Sequence, residues 1–182
     1  IEQLEKKGLI IQGTKRVYAG TTLVLITNAA LPAPIGVIQD LHKTPIRRIA
    51  VGDPKTASVG KVAAQFLKSS DLEPRLKSQY VYGAHSKAVL DLVANGEAEI
   101  GVVYRTDVIS NPKVRIIDTA PVGSHNPIRY GIATVWTSRN ISAAKDFTEF
   151  LLTTDVHVQL EKYGFDRVPQ SVGLAQQREA HQ

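Results

Sequence analysis

The sequence predicts an α/β fold with a mainly parallel sheet, and three observations carry that expectation. Short runs rich in β-branched residues alternate along the chain with amphipathic stretches of helical period, and strands separated by helices usually pair in parallel. Serines stand at the starts of two helical stretches, Ser58 and Ser86, and glycines close three, Gly8, Gly96 and Gly164, the residues that open and close helices. Apolar residues make up 43% of the 182 positions and charged residues of mixed sign 21%, enough to bury a core and too little one-signed charge to favour disorder. That length suits one domain or two small lobes sharing a hinge.

Residues 1–7 read as the end of a helix closed by Gly8. Residues 17–19 and 22–27 read as strands, the second being the run TLVLIT. A loop with Pro32 and Pro34 follows, then a short helical stretch at 37–42 and an apolar strand at 48–52 ended by the turn Asp53-Pro54. Val59, Val62, Ala63, Phe66 and Leu67 recur at one-face helical spacing, with Ser58 standing in the N-cap position. A helical turn at 72–76 and a strand at 79–82 lead to a second helix. Ser86 would cap it, Val89, Leu90 and Val93 would form its apolar face, and Gly96 would close it. Strands are expected at 99–104, 114–117 and, as a long one, 130–136. Helices are expected at 141–152, with Ala144, Phe147 and Leu151 on one face, and at 156–163, ended by Gly164. From Gln170 the chain is polar and expected to fray.

The absence of cysteine excludes disulfides, thiolate metal sites and thiol nucleophiles together. The net charge of +5 comes with basic pairs, Lys6-Lys7, Lys15-Arg16 and Arg47-Arg48, scattered beside strand-like sequence. No basic run is interleaved with aromatics, so no nucleic-acid partner is expected. No stretch is apolar enough to span a bilayer, and no signal peptide is seen. The chain starts at Ile1 directly in helical sequence, which reads as a processed or cropped beginning.

Several segments taken in order resemble the molybdate-binding protein family (ModA). They are TLVLIT, IAVGDPKTASVGKVAAQFL, SKAVLDLVANGEAEIGVVYRTD, HNPIRYGIATV, AAKDFTEFLL and EKYGF. The VGDP turn followed by the G-x-V-Y-x-x-D segment is the most specific pairing, and the likeness runs from Ile1 to about Phe165. It implies a type II periplasmic-binding-protein-like α/β fold, two lobes with a hinge and an anion in the cleft. Residues 29–126 would be one continuous lobe. Residues 1–28 and 127–182 would be the remnant of the N-terminal lobe, and the hinge would run through TLVLITN and RYGIATV. The family's remaining ligands are serines in an N-terminal segment that is absent here, so one lobe would be incomplete, with half of the anion shell.

Molybdate carries two negative charges and only acceptor oxygens, so a site for it needs converging donors. Helix N-termini supply free N–H groups and the positive end of the macrodipole. The sequence offers such starts at Ser58-Val59-Gly60 and at His85-Ser86-Lys87, with a glycine permitting close approach and a phenol, Tyr104, at the end of a strand. The resemblance places Val59 and Ser86 at backbone-donor positions and Tyr104 at a hydroxyl-donor position, with Ser58 beside them. By residue type alone, Ser58 and Ser86 would be plain caps, Tyr104 a core residue, Asp53 part of a turn and Asp107 a cap or surface acid. Lys55, Lys87 and Arg105 would steer the anion without ligating it.

The resemblance therefore implies an oxyanion-binding component of an ABC transporter, taking molybdate or tungstate, periplasmic or lipid-anchored outside the membrane, with the membrane permease as partner. No cofactor, no directly ligated metal and no catalytic residue are expected. His42, His85, His125, His157 and His181 show no zinc spacing, and neither G-x-S-x-G nor a P-loop occurs. A dimer formed by exchange would cover the surfaces an incomplete lobe exposes. The alternatives are the effector-binding domain of a transcription regulator, or a binder of sulfate, phosphate or an organic acid.

Overall fold

A computed structural model describes residues 1–33 and 35–168. In chain order its elements are α1 (Glu2–Lys6), β1 (Arg16–Thr21), β2 (Leu23–Asn28), β3 (Ile49–Gly52), α2 (Ser58–Ser69), α3 (Glu73–Leu76), β4 (Tyr80–Gly83), α4 (Ser86–Ala94), β5 (Ile100–Tyr104), α5 (Arg105–Val108), β6 (Val114–Thr119), β7 (Ile128–Ile132), α6 (Ile141–Leu151) and α7 (Thr154–Lys162), with a 3₁₀ turn at Ile38–His42. The strand and helix positions follow the sequence expectations closely. The polar tail from Gln170 lies outside the described residues.

Contacts divide the chain into two units: Ile1–Gly20 with the chain from Ile128 onward, and Thr21–Pro127. The expected boundary at 28/29 therefore moves to 20/21. The physical reason is β2, whose Leu23, Val24, Leu25 and Ile26 are all fully buried in the second unit's sheet. A strand buried on both faces reads as a continuous apolar run, as TLVLIT does. It is core of the second unit, where a hinge segment was expected.

That sheet has the order β4-β3-β5-β2-β6. β3 pairs in parallel with β4 and β5, while β2 pairs antiparallel with β5 and β6. The sheet is thus mixed, where a mainly parallel one was expected. Parallel pairing is imposed by helical crossovers, and these join only β3, β4 and β5. A loop with the 3₁₀ turn, and no helical crossover, leads from β2 to β3, leaving β2 free to run the other way.

Helices cover both faces of the sheet. Val89, Leu90 and Val93 of α4 pack with Val24, Ile26, Ala50 and Val103. Val51, the neighbour of Ala50, faces the opposite side and lines a hollow with Ala63, Ala64 and Leu67 of α2 and with Tyr80. The predicted apolar stripe of α2 is correspondingly buried at Val59, Ala63, Phe66 and Leu67.

In the first unit, β1 and β7 form a two-stranded sheet, and Tyr130 meets Tyr18 and Phe165 at ring-centroid distances of 6.4 and 5.0 Å. The long strand expected at 130–136 stops at Ile132 because the chain beyond it pairs elsewhere. The Thr134 carbonyl accepts from the Ile11 N–H at 2.8 Å, and the Trp136 N–H donates to Leu9 at 3.2 Å. The expected apolar face of α6 is also revised. Phe147 is exposed and stacks near Phe150, 6.3 Å away, while Thr148 is the buried residue of that helix. Among the described residues no helix is long and apolar enough to cross a membrane.

Candidate functional site

The three parallel strands β4, β3 and β5 end along one edge of the second unit's sheet, with Gly52 of β3 opposite Gly83 of β4. From that edge the chain launches α2 after β3, α4 after β4 and α5 after β5. It steps from β3 to β4 on one side and then crosses to β5 on the other. A reversal of strand order at the carboxyl ends is where open α/β sheets bind ligands.

The glycines make this edge possible. A Cβ on Gly60 would lie 2.4 Å from the Gly52 carbonyl oxygen and 2.6 Å from that of Asp53. A Cβ on Gly83 would lie 2.8 Å from the Val89 nitrogen. Each helix thus seats its first turn directly on the end of the preceding strand. Gly60, expected to let a ligand approach, serves first to let the backbone of residues 52–53 approach.

The turn before α2 is held by Asp53. Its Oδ1 accepts from the Lys55 N–H at 2.8 Å, and its carbonyl accepts from Thr56 and Ala57 at 3.2 and 2.8 Å. This turn makes Ala57 the N-cap, so the expectation that Ser58 caps the helix is corrected by one residue. Alanine has no side-chain acceptor, and among the described residues the N–H groups of Ser58, Val59 and Gly60 meet none. The Ser58 hydroxyl instead accepts a hydrogen bond from the Tyr104 hydroxyl at 3.2 Å. Val59 is 1% exposed; its side chain belongs to the core, leaving only its main chain for other work.

The second helix start is corrected in the same way. His85, not Ser86, is the N-cap of α4, its Nδ1 accepting from the Ala88 N–H at 3.1 Å. The N–H groups of Ser86 and Lys87 have no acceptor among the described residues. The half-buried Ser86 hydroxyl donates to Oδ2 of Asp107. Asp107 lies in α5, whose N-cap is Tyr104. The contacts therefore link Ser58 to Tyr104 and Ser86 to Asp107, with Tyr104 capping the single helical turn that carries Asp107. Lys87 lies along the helix, its Nζ 3.1 Å from Asp91.

The four residues singled out from sequence, Ser58, Val59, Ser86 and Tyr104, thus stand at one edge of one sheet. The arrangement offers two positive helix ends, five unsatisfied N–H groups and a phenol, which together suit a small anion. Sequence reasoning missed His85 as a cap and the Ser86–Asp107 bond. Histidine is not among the usual capping residues, so only its place one residue before Ser86 could have signalled it. Among the described residues, no three His, Asp or Glu side chains gather as a metal-ligand group.

A lipoprotein of Bacillus subtilis assigned as an ABC-transporter substrate-binding protein is 30% identical over 164 residues, 90% of this chain and 62% of the lipoprotein. The molybdate-binding protein ModA of Haemophilus influenzae is 28% identical over 168 residues, 91% of this chain and 66% of its own. The substrate-binding domain assigned to a molybdenum ABC transporter of Clostridium difficile superposes with a TM-score of 0.82 at 30% identity, covering 92% of this chain and 72% of that one. The chain spans 62–66% of the length of these curated relatives. The family model described as bacterial extracellular solute-binding protein matches residues 1–166. Matched over nearly all its length, and with a mixed α/β fold shared with a solved relative, this chain belongs to the bacterial extracellular solute-binding proteins.

Proposed function

We propose that this protein is the substrate-binding component of an ABC transporter and that its second unit holds part of a site for a tetrahedral oxyanion, molybdate or tungstate. The carrying observation is the pair of helix starts at one sheet edge, whose first N–H groups have no acceptor while Tyr104 reaches Ser58. The first N–H groups of a helix have no intrahelical acceptor and point at whatever anion sits before them, and a doubly charged anion would take several at once. Val59 and Ser86 would donate through the main chain, Tyr104 through its hydroxyl once that proton turns from Ser58 to the anion, and Ser58 through its N–H or hydroxyl. Relatives named for molybdate or molybdenum support the choice of ligand. Molybdate and tungstate are too alike in size for one pocket to separate, and sulfate is the smaller competitor that the titration below distinguishes.

On this reading the protein works outside the cytoplasmic membrane, in the periplasm or lipid-anchored, and delivers its anion to a membrane permease. It binds without turnover and needs no cofactor. Residues 1–20 and 128–168 would correspond to part of the other lobe of the family's fold.

Isothermal titration with molybdate, tungstate, sulfate and phosphate tests the proposal. The expected result is saturable one-to-one binding of molybdate and tungstate, tighter than sulfate. Absence of binding by all four anions would refute it.

A further inference from the structure

The hollow between β3 and α2 extends to the outermost strand of the sheet, where Tyr80 and Tyr82 of β4 line it together with Glu73 of α3. Two residues apart on a strand, the tyrosines share a face, and Val51 of β3 stands beside Tyr82 in the ladder. Their rings lie 6.2 Å apart at 83°, forming two perpendicular walls. Among the described residues lining the hollow, Glu73 alone is charged; the rest are aliphatic, glycine or tyrosine. Its half-buried carboxylate lies 3.6 Å from Nζ of Lys77, in an i, i+4 surface pair of a kind worth little in water. Burial, and after it the Glu73 charge, push the Tyr80 phenol up to about 12, so the carboxylate acts on the space the rings enclose. The hollow leaves about 40 Å³ open to water centres, room for roughly three waters given what one requires.

We propose that this hollow is a second binding site, and that it takes the head and short apolar stem of a primary ammonium ion. A partly desolvated carboxylate attracts a cation, and tyrosine ring faces hold one through their quadrupole. Val51, Ala63 and Leu67 line the same space and accept the methylenes of the stem. An anion would meet Glu73 with repulsion, and a neutral molecule would gain nothing from its charge. None of Ser58, Val59, Ser86 and Tyr104 lines the hollow, so the site stands or falls apart from the oxyanion reading.

The test titrates the protein with n-butylammonium chloride and with 1-butanol, its neutral counterpart of equal chain length, at constant ionic strength, and follows backbone amide resonances by NMR. Saturable shifts at Val51, Ala63, Leu67, Tyr80 and Tyr82 are expected for the ammonium, with a dissociation constant at least about tenfold below that of the alcohol. Glu73→Gln should bring the two constants together, and Tyr82→Ala should weaken the ammonium about two- to fivefold. Lys77→Gln removes the competitor for Glu73 and should tighten the ammonium; being a fully surface change, it keeps the test decisive if either other variant fails to fold. Equal response to ammonium and alcohol, or no saturable shift around the hollow, would overturn the proposal. So would an ammonium affinity unchanged in both Glu73→Gln and Lys77→Gln. Molybdate affinity in Glu73→Gln is expected to match the wild type, which separates failure here from failure of the anion site.

Discussion

Ser58 and Ser86 each stand one position past a helix cap, and that single step decides what their hydroxyls do. A capping serine turns inward to its own helix; these two reach across, to Tyr104 and to Asp107. Tyr104→Phe removes a donor to a charged acceptor and should weaken molybdate binding by about 1.5–3 kcal/mol, read as the shift in calorimetric affinity. Tyr80 invites a different measurement. Its hydroxyl is buried without a partner among the described residues, and burial, then Glu73, then Tyr82 push its pKa up to about 12 from 10.0. The folded state holds that proton more tightly than the unfolded chain, so this contribution to stability is complete below pH 10 and disappears as pH rises toward 12. Melting temperature followed from pH 9 to 12 should decline less steeply in Tyr80→Phe than in the wild type. Tyr104 and Val59 were legible in the sequence as members of an ordered motif. The capping shift was not, because it arises from the carbonyl and carboxylate bonds of Asp53 and from the His85 ring, which no serine-before-helix pattern encodes.

At the scale of elements, the strand–turn–helix junctions are built twice on one plan. Gly52 and Gly83 end neighbouring strands in register, and each receives the first turn of the following helix at backbone distance. The contacts that a side chain at 60 would meet are main-chain atoms of 52 and 53, which cannot swing aside as a flexible side chain would. Gly60→Ala is therefore expected to destabilise the protein by about 3 kcal/mol, measured by denaturant unfolding; a change below about 0.5 kcal/mol would contradict this account of the junction. The helices themselves were plain in the sequence because their apolar spacing is local. The direction of β2 and the early end of β7 were hidden, since both depend on partners far along the chain, such as Tyr104 opposite Leu23 and Ile10 opposite Val135.

At the scale of the whole molecule, the two units differ in what they bury. The second unit encloses the side chains of β2, α2 and α4. Among its described residues the first unit buries the apolar side chains of Ile10 and Ala19, and the polar Thr134, Thr148 and His157. The Thr134 hydroxyl and both ring nitrogens of His157 have no partner among the described residues. Few buried apolar groups and unsatisfied polar ones imply low local stability. Hydrogen–deuterium exchange should therefore be faster in α6 and α7 than in α2 and α4, and equal protection would contradict that expectation. The division at Gly20 was invisible to the sequence because TLVLIT looks the same whether it links lobes or fills a core. The pairing of Gly52 with Gly83 has a last implication. Adjacent strands lie about 4.8 Å apart, so the gap between the two helix starts is graduated by a hydrogen-bonded ladder of main chain. The calibre of anything gripped there is inherited from the peptide backbone, and side-chain drift at the rim can retune chemistry without resizing the grip.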